Sequence, residues 1–423
     1  MHICMLTYYY WPVPAGGAEN QCRRLAATLV SRSYTCRVIT CRHKITDPQQ
    51  QTEENGVQIN RMPTFETLLH RLQSSVEKKG RMNQVEITQL DPVSIEHKKN
   101  RYNTVAKLKK IFARWAAYNV KYLNIIVFSL NVLFFLSRKR DTIDILHVHT
   151  AEWIAGLAAF AGKIFNIPVL CKGANMPVFT PLHAVPLSTC CDIWRRKSHF
   201  IALTQAMKDN LVRNGVSDNR ITVIPNGVKL PDQTTTPSRN SHFLYIGNFS
   251  QSAAHKSFDS LIEAWAKVHR LRANTKLLML GGGNADEWIA LANSFGCDDS
   301  IEFLGYRKKL TPFFLQTCCL LLPSRKEGIS NALLEAQSFG LPAIVSDIPG
   351  NREIVLHEIN GLIVPVENSD ALAAACINMI DNPLLREKYG YAARKRIEEL
   401  YSMERIADLT VNLYKELLHG AKV

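Results

Sequence analysis

Residues 324–336 read SRKEGISNALLEA, and this stretch sets the architecture of the chain. The apolar run before it predicts a buried strand, and helical spacing begins near Ser330. Glu327 and Gly328 lie in the loop between the strand and the helix. A strand, a loop with glycine and a helix N-terminus in this order are typical of open parallel α/β sheets, which bind ligands where their strands end.

The same stretch carries groups suited to a sugar or a phosphate. Glu327 and Glu335 place two carboxylates near one helix N-terminus, and carboxylates are strong acceptors for neighbouring hydroxyls. Gly328 allows the backbone to approach a ligand closely. The first N–H groups of the helix can bind hydroxyls or a diphosphate, and they belong to Ile329, Ser330 and Asn331. The residue types also fit an ordinary helix cap beside a solvated glutamate.

Strand-like apolar runs alternate with helical patterns along most of the chain, which predicts doubly wound parallel sheets. The alternation of strand and helix patterns runs through residues 1–228, is interrupted by a polar linker at 229–241 and begins again in residues 242–400. We therefore predict an α/β protein with two Rossmann-like domains that face each other across a cleft. Residues 64–140 form a basic insertion in the first domain, and 401–423 predict a helix that packs back on that domain.

Two further loops are candidates for ligand contact. Gly16 and Gly17 lie between the first predicted strand and its helix, where a glycine pair can present backbone N–H groups to a phosphate or form only a tight turn. His147 and His149 end a predicted central strand. We expect a hydrogen-bonded core position for His147 and a position facing the cleft for His149. Two histidines without a third ligand make a poor zinc site.

The composition excludes several classes of protein. The chain has 46% hydrophobic and 21% charged residues, which is typical of a globular protein. Its 11 cysteines show no CxxC spacing, so we expect no disulfide framework or zinc cage, and a reducing compartment fits best. The longest apolar run, residues 122–136, is shorter than the ~20 residues of a spanning helix. No signal peptide is expected at the N-terminus.

The net charge of +14 is concentrated in the first half of the sequence. Residues 201–423 are balanced, whereas residues 75–140 hold 14 basic and 4 acidic side chains. Such a segment suits an anionic membrane surface, nucleic acid or a phosphorylated substrate, and equally a solvated helix. An amphipathic pattern that starts at Val105, with Trp115 on the apolar side and Lys109 elsewhere, favours a membrane surface over nucleic acid, for which no recognition motif is evident.

These segments together resemble glycosyltransferase family 4, a family of retaining enzymes with the GT-B fold. Glu327 and Glu335 match its paired-glutamate E-x7-E motif. The resemblance runs nearly end to end, and its other segments are Gly16–Glu19, Asp144–His149, Ile224–Val228, Phe243–Gly247, His255–Ser257, Gly340–Asp347 and Gly350–Val355. Their number and order imply a GT-B fold for the whole chain.

The resemblance also implies a role for each matching residue. The catalytic groups would be His149, which bonds the donor sugar, Lys256, which neutralises the donor diphosphate, and Glu327, which holds the sugar hydroxyls. Gly17 would contact the diphosphate through its N–H, and Glu335 would bind the ribose. Further contacts to the substrate would come from Gly16, Gly328, Ile329, Ser330 and Asn331.

One position departs from the family pattern. An arginine usually follows the glycine after the first strand of the second domain, and here Asn248 stands in that place. Asn248 would still lie beside the substrate, but one of the two cations for the diphosphate is missing. Either another basic residue, such as Arg325 or Lys326, replaces it, or the donor binds more weakly.

The resemblance implies a retaining hexosyltransferase that takes its sugar from a UDP- or GDP-type donor and needs no other cofactor. The chain contains no Asp-x-Asp sequence, so no metal is expected. The acceptor would be a glycan or a lipid-linked glycan of the cell envelope, reached from the cytoplasm at the inner face of a membrane. The alternatives are a non-enzymatic basic protein that binds membrane or nucleic acid, and an epimerase or phosphorylase on the same fold.

Overall fold

The computed structural model of the chain describes residues 1–10, 16–44, 46–68, 120–174, 192, 195–232, 241–250 and 255–420. Predictions made for other residues stay predictions. They concern the start of the glycine loop, most of the basic insertion with its amphipathic pattern from Val105 to Trp115, the centre of the linker and the segment before His255. Elements are numbered along the described residues.

The first sheet has eight strands and lies within residues 1–228. In chain order the strands are β1 His2–Leu6, β2 Thr35–Cys41, β3 Gln50–Thr52, β4 Gln58–Met62, β5 Ile145–Val148, β6 Val169–Lys172, β7 His199–Ala202 and β8 Ile221–Val223. Their order across the sheet is β3-β4-β2-β1-β5-β6-β7-β8, and only the β3–β4 pair is antiparallel. The helices are α1 Gly17–Ser31, α2 Val120–Thr142, α3 Trp153–Phe165 and α4 Gln205–Arg213.

The second sheet restarts the same pattern after the linker. Its strands are β9 Phe243–Ile246, β10 Leu277–Leu280, β11 Ile301–Gly305, β12 Cys319–Leu322, β13 Ala343–Ser346 and β14 Gly361–Val364, all parallel, in the order β11-β10-β9-β12-β13-β14. The helices are α5 Phe258–Leu271, α6 Asp286–Ser294, α7 Thr311–Gln316, α8 Asn331–Ser338, α9 Pro349–Ile354, α10 Ser369–Asp381 and α11 Pro383–Leu400. The predicted α/β class with two doubly wound domains is confirmed.

The pair β3–β4 is absent from the sequence prediction. Residues 50–62 are mostly polar and lack the apolar runs that predict the other strands. In the structure Asn60 and Arg61 are buried, and the Arg61 guanidinium donates to the carbonyl of Pro48 and to Gln51. These long-range partners satisfy buried polar groups that a one-dimensional pattern assigns to a loop.

Helix α2 differs from the sequence expectation in its length. It has 23 residues, of which an 18-residue stretch has a mean hydropathy of 1.7, so by length and composition alone it is long enough to cross a membrane. One face of α2 is nevertheless buried in the first domain, through Phe128, Val132 and Leu136. The opposite face exposes a stripe of apolar side chains at helical spacing, Leu123, Ile126, Leu130 and Phe134.

The chain returns to the first domain at its end. Helix α12, Met403–Gly420, packs beside α1, and its buried side chains share a core with those of α1 and β1. Just before α12, Val228 exchanges backbone hydrogen bonds with Tyr401 and Met403 at 2.9 Å each. The second domain is thereby attached to the first by two chain crossings, the linker and the segment that leads into α12.

The buried face of α2 yields a stability prediction. Phe128 is fully buried against Tyr8 and Trp153, so Phe128→Ala should lower the free energy of unfolding by about 3–5 kcal/mol. Phe134, which is 56% exposed on the same helix, is the matched control, and Phe134→Ala should change stability by about 0.5 kcal/mol or less. Urea unfolding followed by circular dichroism measures both. Equal losses would show that α2 is not docked on the sheet in this orientation.

Candidate active site

A cavity of about 950 Å³ opens between the ends of the two sheets and is lined by both domains. Parallel strands of each sheet end there, as expected for ligand sites in open α/β folds. Nine of the eleven residues singled out from the sequence line this cavity: Gly16, Gly17, His149, Lys256, Glu327, Gly328, Ile329, Ser330 and Asn331. Asn248 and Glu335 lie outside its lining.

An ion pair between Lys256 and Glu327 forms one wall of the cavity. The ammonium of Lys256 donates to Glu327 Oε1, and the hydroxyl of Ser324 donates to the same oxygen at 3.0 Å. The Lys256 and Glu327 side chains are only 16% and 14% exposed, so the pair is held largely out of water. Ser257, which follows Lys256, adopts a left-handed backbone with φ of 54° and is the N-cap residue directly before helix α5.

Two helix N-termini meet in the cavity. Helix α1 begins at Gly17 and α8 at Asn331, and the Asn331 amide donates to the Gly17 carbonyl at 3.1 Å. The Ser330 hydroxyl caps α8 by accepting from Leu333 N at 3.4 Å. The helix-cap interpretation therefore holds for this side chain. The first backbone N–H groups of both helices still point towards the same space, which favours an anion there.

Close packing between the domains explains two of the glycines. A Cβ on Gly17 would lie 2.8 Å from the Asn331 amide nitrogen, and a Cβ on Gly328 would lie 2.9 Å from the Ala174 carbonyl oxygen. Both distances are too short for ordinary contacts. The absence of a side chain at these positions allows the two domains to approach each other at the cavity, whether or not the glycines also contact a ligand.

His147 of β5 and His149, which directly follows that strand, are stacked and buried. His147 Nδ1 lies 2.5 Å from the Tyr414 hydroxyl of α12, which gives His147 the hydrogen-bonded core position expected from the sequence. His149 lies next to it with ring centroids 4.3 Å apart and lines the cavity. Burial lowers the pKa of His147 to about 3 and that of His149 well below 6.5, so both rings are neutral at pH 7. Neither ring nitrogen of His149 has a hydrogen-bond partner in the described part of the chain.

Glu335 is paired across the domain boundary. Its carboxylate accepts from the guanidinium of Arg24 on α1, and the Glu335 side chain is 19% exposed. A ligand that used this carboxylate would have to share it with Arg24 or displace it. The ribose-binding role implied for Glu335 stays a prediction.

Neither of the two basic residues suggested as replacements for the missing arginine lies in the cavity near Asn248. Asn248 is exposed, and its side-chain oxygen accepts from Ser250 N at 2.9 Å. Arg325 bonds to Asp259 and Glu367 on the outer surface, and Lys326 is exposed. Since neither basic residue lines the cavity, the interpretation that Arg325 or Lys326 takes over this role is not supported by their positions.

Sequence reasoning missed several residues that line the first-domain side of the cavity. Tyr8, Tyr9 and Trp153 form an aromatic wall, in which the Tyr8 and Trp153 ring centroids are 5.5 Å apart. Lys172, the last residue of β6, lies deeper and is buried. The signal for Lys172 was a single charged residue at the end of an apolar strand and directly before Gly173.

The described residues show no arrangement suited to a metal ion, since no group of three or more His, Cys, Asp or Glu side chains comes together among them. All nine cysteines in the described ranges are free and buried. Whether the reaction uses an added cation is not decided by this arrangement and stays a prediction from the sequence.

Two family models match successive parts of the chain. Residues 111–231 match the model described as Glycosyltransferase Family 4, and residues 240–382 match Glycosyl transferases group 1. The two matches fall on either side of the polar linker and together cover more than half of the chain. The first match covers strands β5–β8 of the first sheet, and the second covers all six strands of the second sheet.

Comparison with individual proteins extends this likeness over the full length. An uncharacterized glycosyltransferase of Methanocaldococcus jannaschii is 23% identical over 98% of both chains. An O-antigen chain mannosyltransferase C of Escherichia coli is also 23% identical, over 69% of this chain and 81% of its own.

Solved structures share the fold at low identity. Sucrose-phosphate synthase from Thermosynechococcus elongatus superimposes with a TM-score of 0.72 at 18% identity, over 99% of both chains. HepE of Anabaena, solved in complex with UDP-glucose, gives a TM-score of 0.66 at 17% identity over 98% of this chain and 100% of its own.

Proposed function

The chain is a glycosyltransferase of the family 4 and group 1 type with the GT-B fold, and on that premise we propose that it is a retaining enzyme that transfers a sugar from a nucleoside diphosphate sugar to a hydroxyl acceptor. The observation that carries the proposal is the cavity between the domains. It combines the Lys256–Glu327 pair with two convergent helix N-termini, which suits a ligand with both hydroxyls and phosphates.

Two observations support a nucleoside diphosphate sugar as the donor. Backbone N–H groups at the start of α1 and α8, together with Lys256, provide positive charge for a diphosphate. HepE, which has the same fold, is solved with UDP-glucose. We assign the donor to the UDP or GDP type. The E. coli mannosyltransferase of O-antigen chains supports a glycan of the cell envelope as the product.

The proposed reaction needs charge stabilisation more than a protein base. The bond between the anomeric carbon and the phosphate oxygen breaks, and its electron pair stays on the diphosphate. The acceptor oxygen bonds to the anomeric carbon on the same face, and its proton passes to the departing phosphate. Lys256 and the helix N-termini stabilise the charge that develops on that phosphate. Glu327, bonded to Lys256 and Ser324, orients the sugar hydroxyls and forms no covalent intermediate.

The acceptor side of the cavity is aromatic. Tyr8, Tyr9 and Trp153 come from the first domain, and Tyr9 is 46% exposed with its ring stacked on His43 at 5.0 Å. Aromatic rings pack on the apolar faces of sugar rings while polar atoms at their edges hydrogen-bond to hydroxyls. This wall supports a sugar-containing acceptor, either a growing polysaccharide or a lipid-linked glycan.

Attachment to a membrane is the second part of the proposal. The exposed stripe Leu123, Ile126, Leu130 and Phe134 on α2 is followed by three basic residues, Arg138, Lys139 and Arg140. An apolar stripe beside basic side chains suits the surface of an anionic bilayer. We therefore place the enzyme in the cytoplasm, bound peripherally to the inner face of a membrane, where lipid-linked acceptors are presented.

Donor turnover tests the proposed function. Purified protein incubated with a panel of UDP- and GDP-sugars in EDTA should release the nucleoside diphosphate from one of them, and the product should keep the anomeric configuration of the donor. Lys256→Ala should lower kcat by more than about tenfold, because diphosphate charge grows in the transition state. Product analysis by NMR separates transfer from epimerisation and phosphorolysis. Inverted configuration would exclude the retaining mechanism.

A pair of variants tests the role of Glu335. If its carboxylate binds the ribose, Glu335→Ala should raise the donor KM by roughly tenfold to a hundredfold, since buried hydroxyls lose their acceptor. Arg24→Ala frees the same carboxylate and should leave the donor KM unchanged or lower it. If both variants raise KM alike, the Arg24–Glu335 pair serves only to hold the domains together.

Vesicle binding tests membrane attachment. The protein should sediment with anionic vesicles at low salt and be released at high salt, because each basic residue near the surface contributes about 1 kcal/mol. The double variant Leu130→Gln and Phe134→Gln should weaken sedimentation without reducing donor turnover. Leu384→Gln, at a 79% exposed position of the second domain, is the control. Equal sedimentation with neutral and anionic vesicles at both salt concentrations would contradict the proposed attachment to an anionic membrane.

A further inference from the structure

Lys172 is a buried cation that no acidic side chain in the described part of the chain neutralises. The residue is 5% exposed, ends strand β6 and lines the cavity. Among the described residues its ammonium makes neither a hydrogen bond nor an ion pair. Such a group is costly to bury, because desolvation destabilises the charge and nothing offsets it. A lysine in this position is explained by a ligand that brings the negative charge.

Among the described residues, the titratable groups that interact with Lys172 are neutral at pH 7. They include His147 of β5 and His149, which directly follows that strand, and burial lowers the pKa of both. On α1 the group is the Cys22 thiol, whose pKa burial raises well above 9. Burial lowers the pKa of Lys172 itself to about 8, with Cys22 acting in the opposite direction. The protein thus surrounds this ammonium with polar but uncharged groups.

The strand register fixes where Lys172 points. Strands β5 and β6 pair in parallel with Val148 opposite Cys171, so the next residues, His149 and Lys172, end the two strands side by side. Ile145 and Leu170 of the same two strands share a core with α1, so by the alternation of side chains along a strand His149 and Lys172 lie on that face too. The Lys172 ammonium and the unpartnered His149 ring therefore share one side of the cavity with the N-terminus of α1.

Lys256, a second cation in the cavity, is already paired with a carboxylate. Lys256 enters from the opposite domain and is bonded to Glu327. Two further basic residues in the lining have different surroundings, since Lys121 is exposed on α2 and Arg42 donates to the Asp47 carbonyl at 2.7 Å. Arg42 is also buried but donates to a backbone carbonyl, whereas the Lys172 ammonium has no partner among the described residues and its charge is available to an incoming anion.

We propose that Lys172, with His149 beside it, binds the sugar-bearing phosphate of the donor and replaces the positive charge that is absent at Asn248. This proposal rests on the proposed function, since it takes the donor to be a nucleoside diphosphate sugar. The sugar-bearing phosphate receives the electron pair when its bond to the anomeric carbon breaks. An ammonium held out of water beside that oxygen stabilises the leaving group more strongly than an exposed one.

Nucleotide affinity measures this contact directly. Wild-type protein, Lys172→Met and Lys172→Arg are titrated by calorimetry with UDP and UMP, or with GDP and GMP if the wild type prefers guanine. Lys172→Met should weaken the diphosphate by about tenfold to a hundredfold and the monophosphate by less than about threefold, because a charged hydrogen bond is lost at the outer phosphate only. Lys172→Arg keeps the charge and should restore most of the preference for the diphosphate.

Thermal stability separates a ligand-binding lysine from a structural one. Removing an unpaired buried charge should leave the melting temperature of ligand-free Lys172→Met equal to or above that of the wild type. A lysine that holds the fold together would give the opposite result. If Lys172→Met does not fold, Lys172→Gln, which retains a polar end, is measured in its place. Lys121→Met is the matched control at an exposed lysine of the same cavity and should change neither affinity.

The outcomes distinguish the inference from the function on which it rests. A wild-type protein that binds no nucleoside diphosphate would overturn the proposed function itself. A wild type that binds one while Lys172→Met binds it equally well would overturn the role of Lys172 and leave the function standing. Equal weakening of diphosphate and monophosphate would also overturn it, because the contact would then lie elsewhere than at the outer phosphate.

Discussion

The hydrogen bonds of Asn331 across the cavity are the contact on which the site depends. Its amide donates to the Gly17 carbonyl, and its side-chain oxygen accepts from Gln21 and Asn226. One residue at the start of α8 therefore joins the start of α1 to the end of the first domain. Because this contact positions two helix N-termini in one space, it creates the electrostatic environment that an anionic ligand requires.

Charge in the cavity is arranged in two different ways. Lys256 and Glu327 neutralise each other on the second-domain side, whereas Lys172 is buried among neutral groups on the first-domain side. A paired cation is stable without a ligand, and an unpaired one stores an unfavourable desolvation energy that an anion relieves. The charges on the second-domain side are thus balanced in the free protein, whereas the charge on the first-domain side is balanced when an anionic ligand binds.

Particular strands and site residues show which features of the structure could be predicted from the sequence. The apolar runs predicted the strands of both sheets except β3 and β4, where buried Asn60 and Arg61 depend on distant partners. The motifs located the cavity, and nine of the eleven singled-out residues line it. Motifs did not predict the contacts of residues whose partners are set by the tertiary structure. Arg325 is bound on the outer surface, and the carboxylate of Glu335 is shared with Arg24.

The sequence alone predicted the α/β class, which the structure confirms, as well as a division near residues 229–241 and most of the residues singled out at the cavity. These features are local, since periodicity, glycine loops and helix starts are encoded in neighbouring residues. The tertiary structure decided the docking of α2, the pairing of Glu335 and the isolation of Lys172. Each of these depends on which distant residues meet. A sequence pattern does not contain the burial and charge of such partners, and these set the energies of the polar groups.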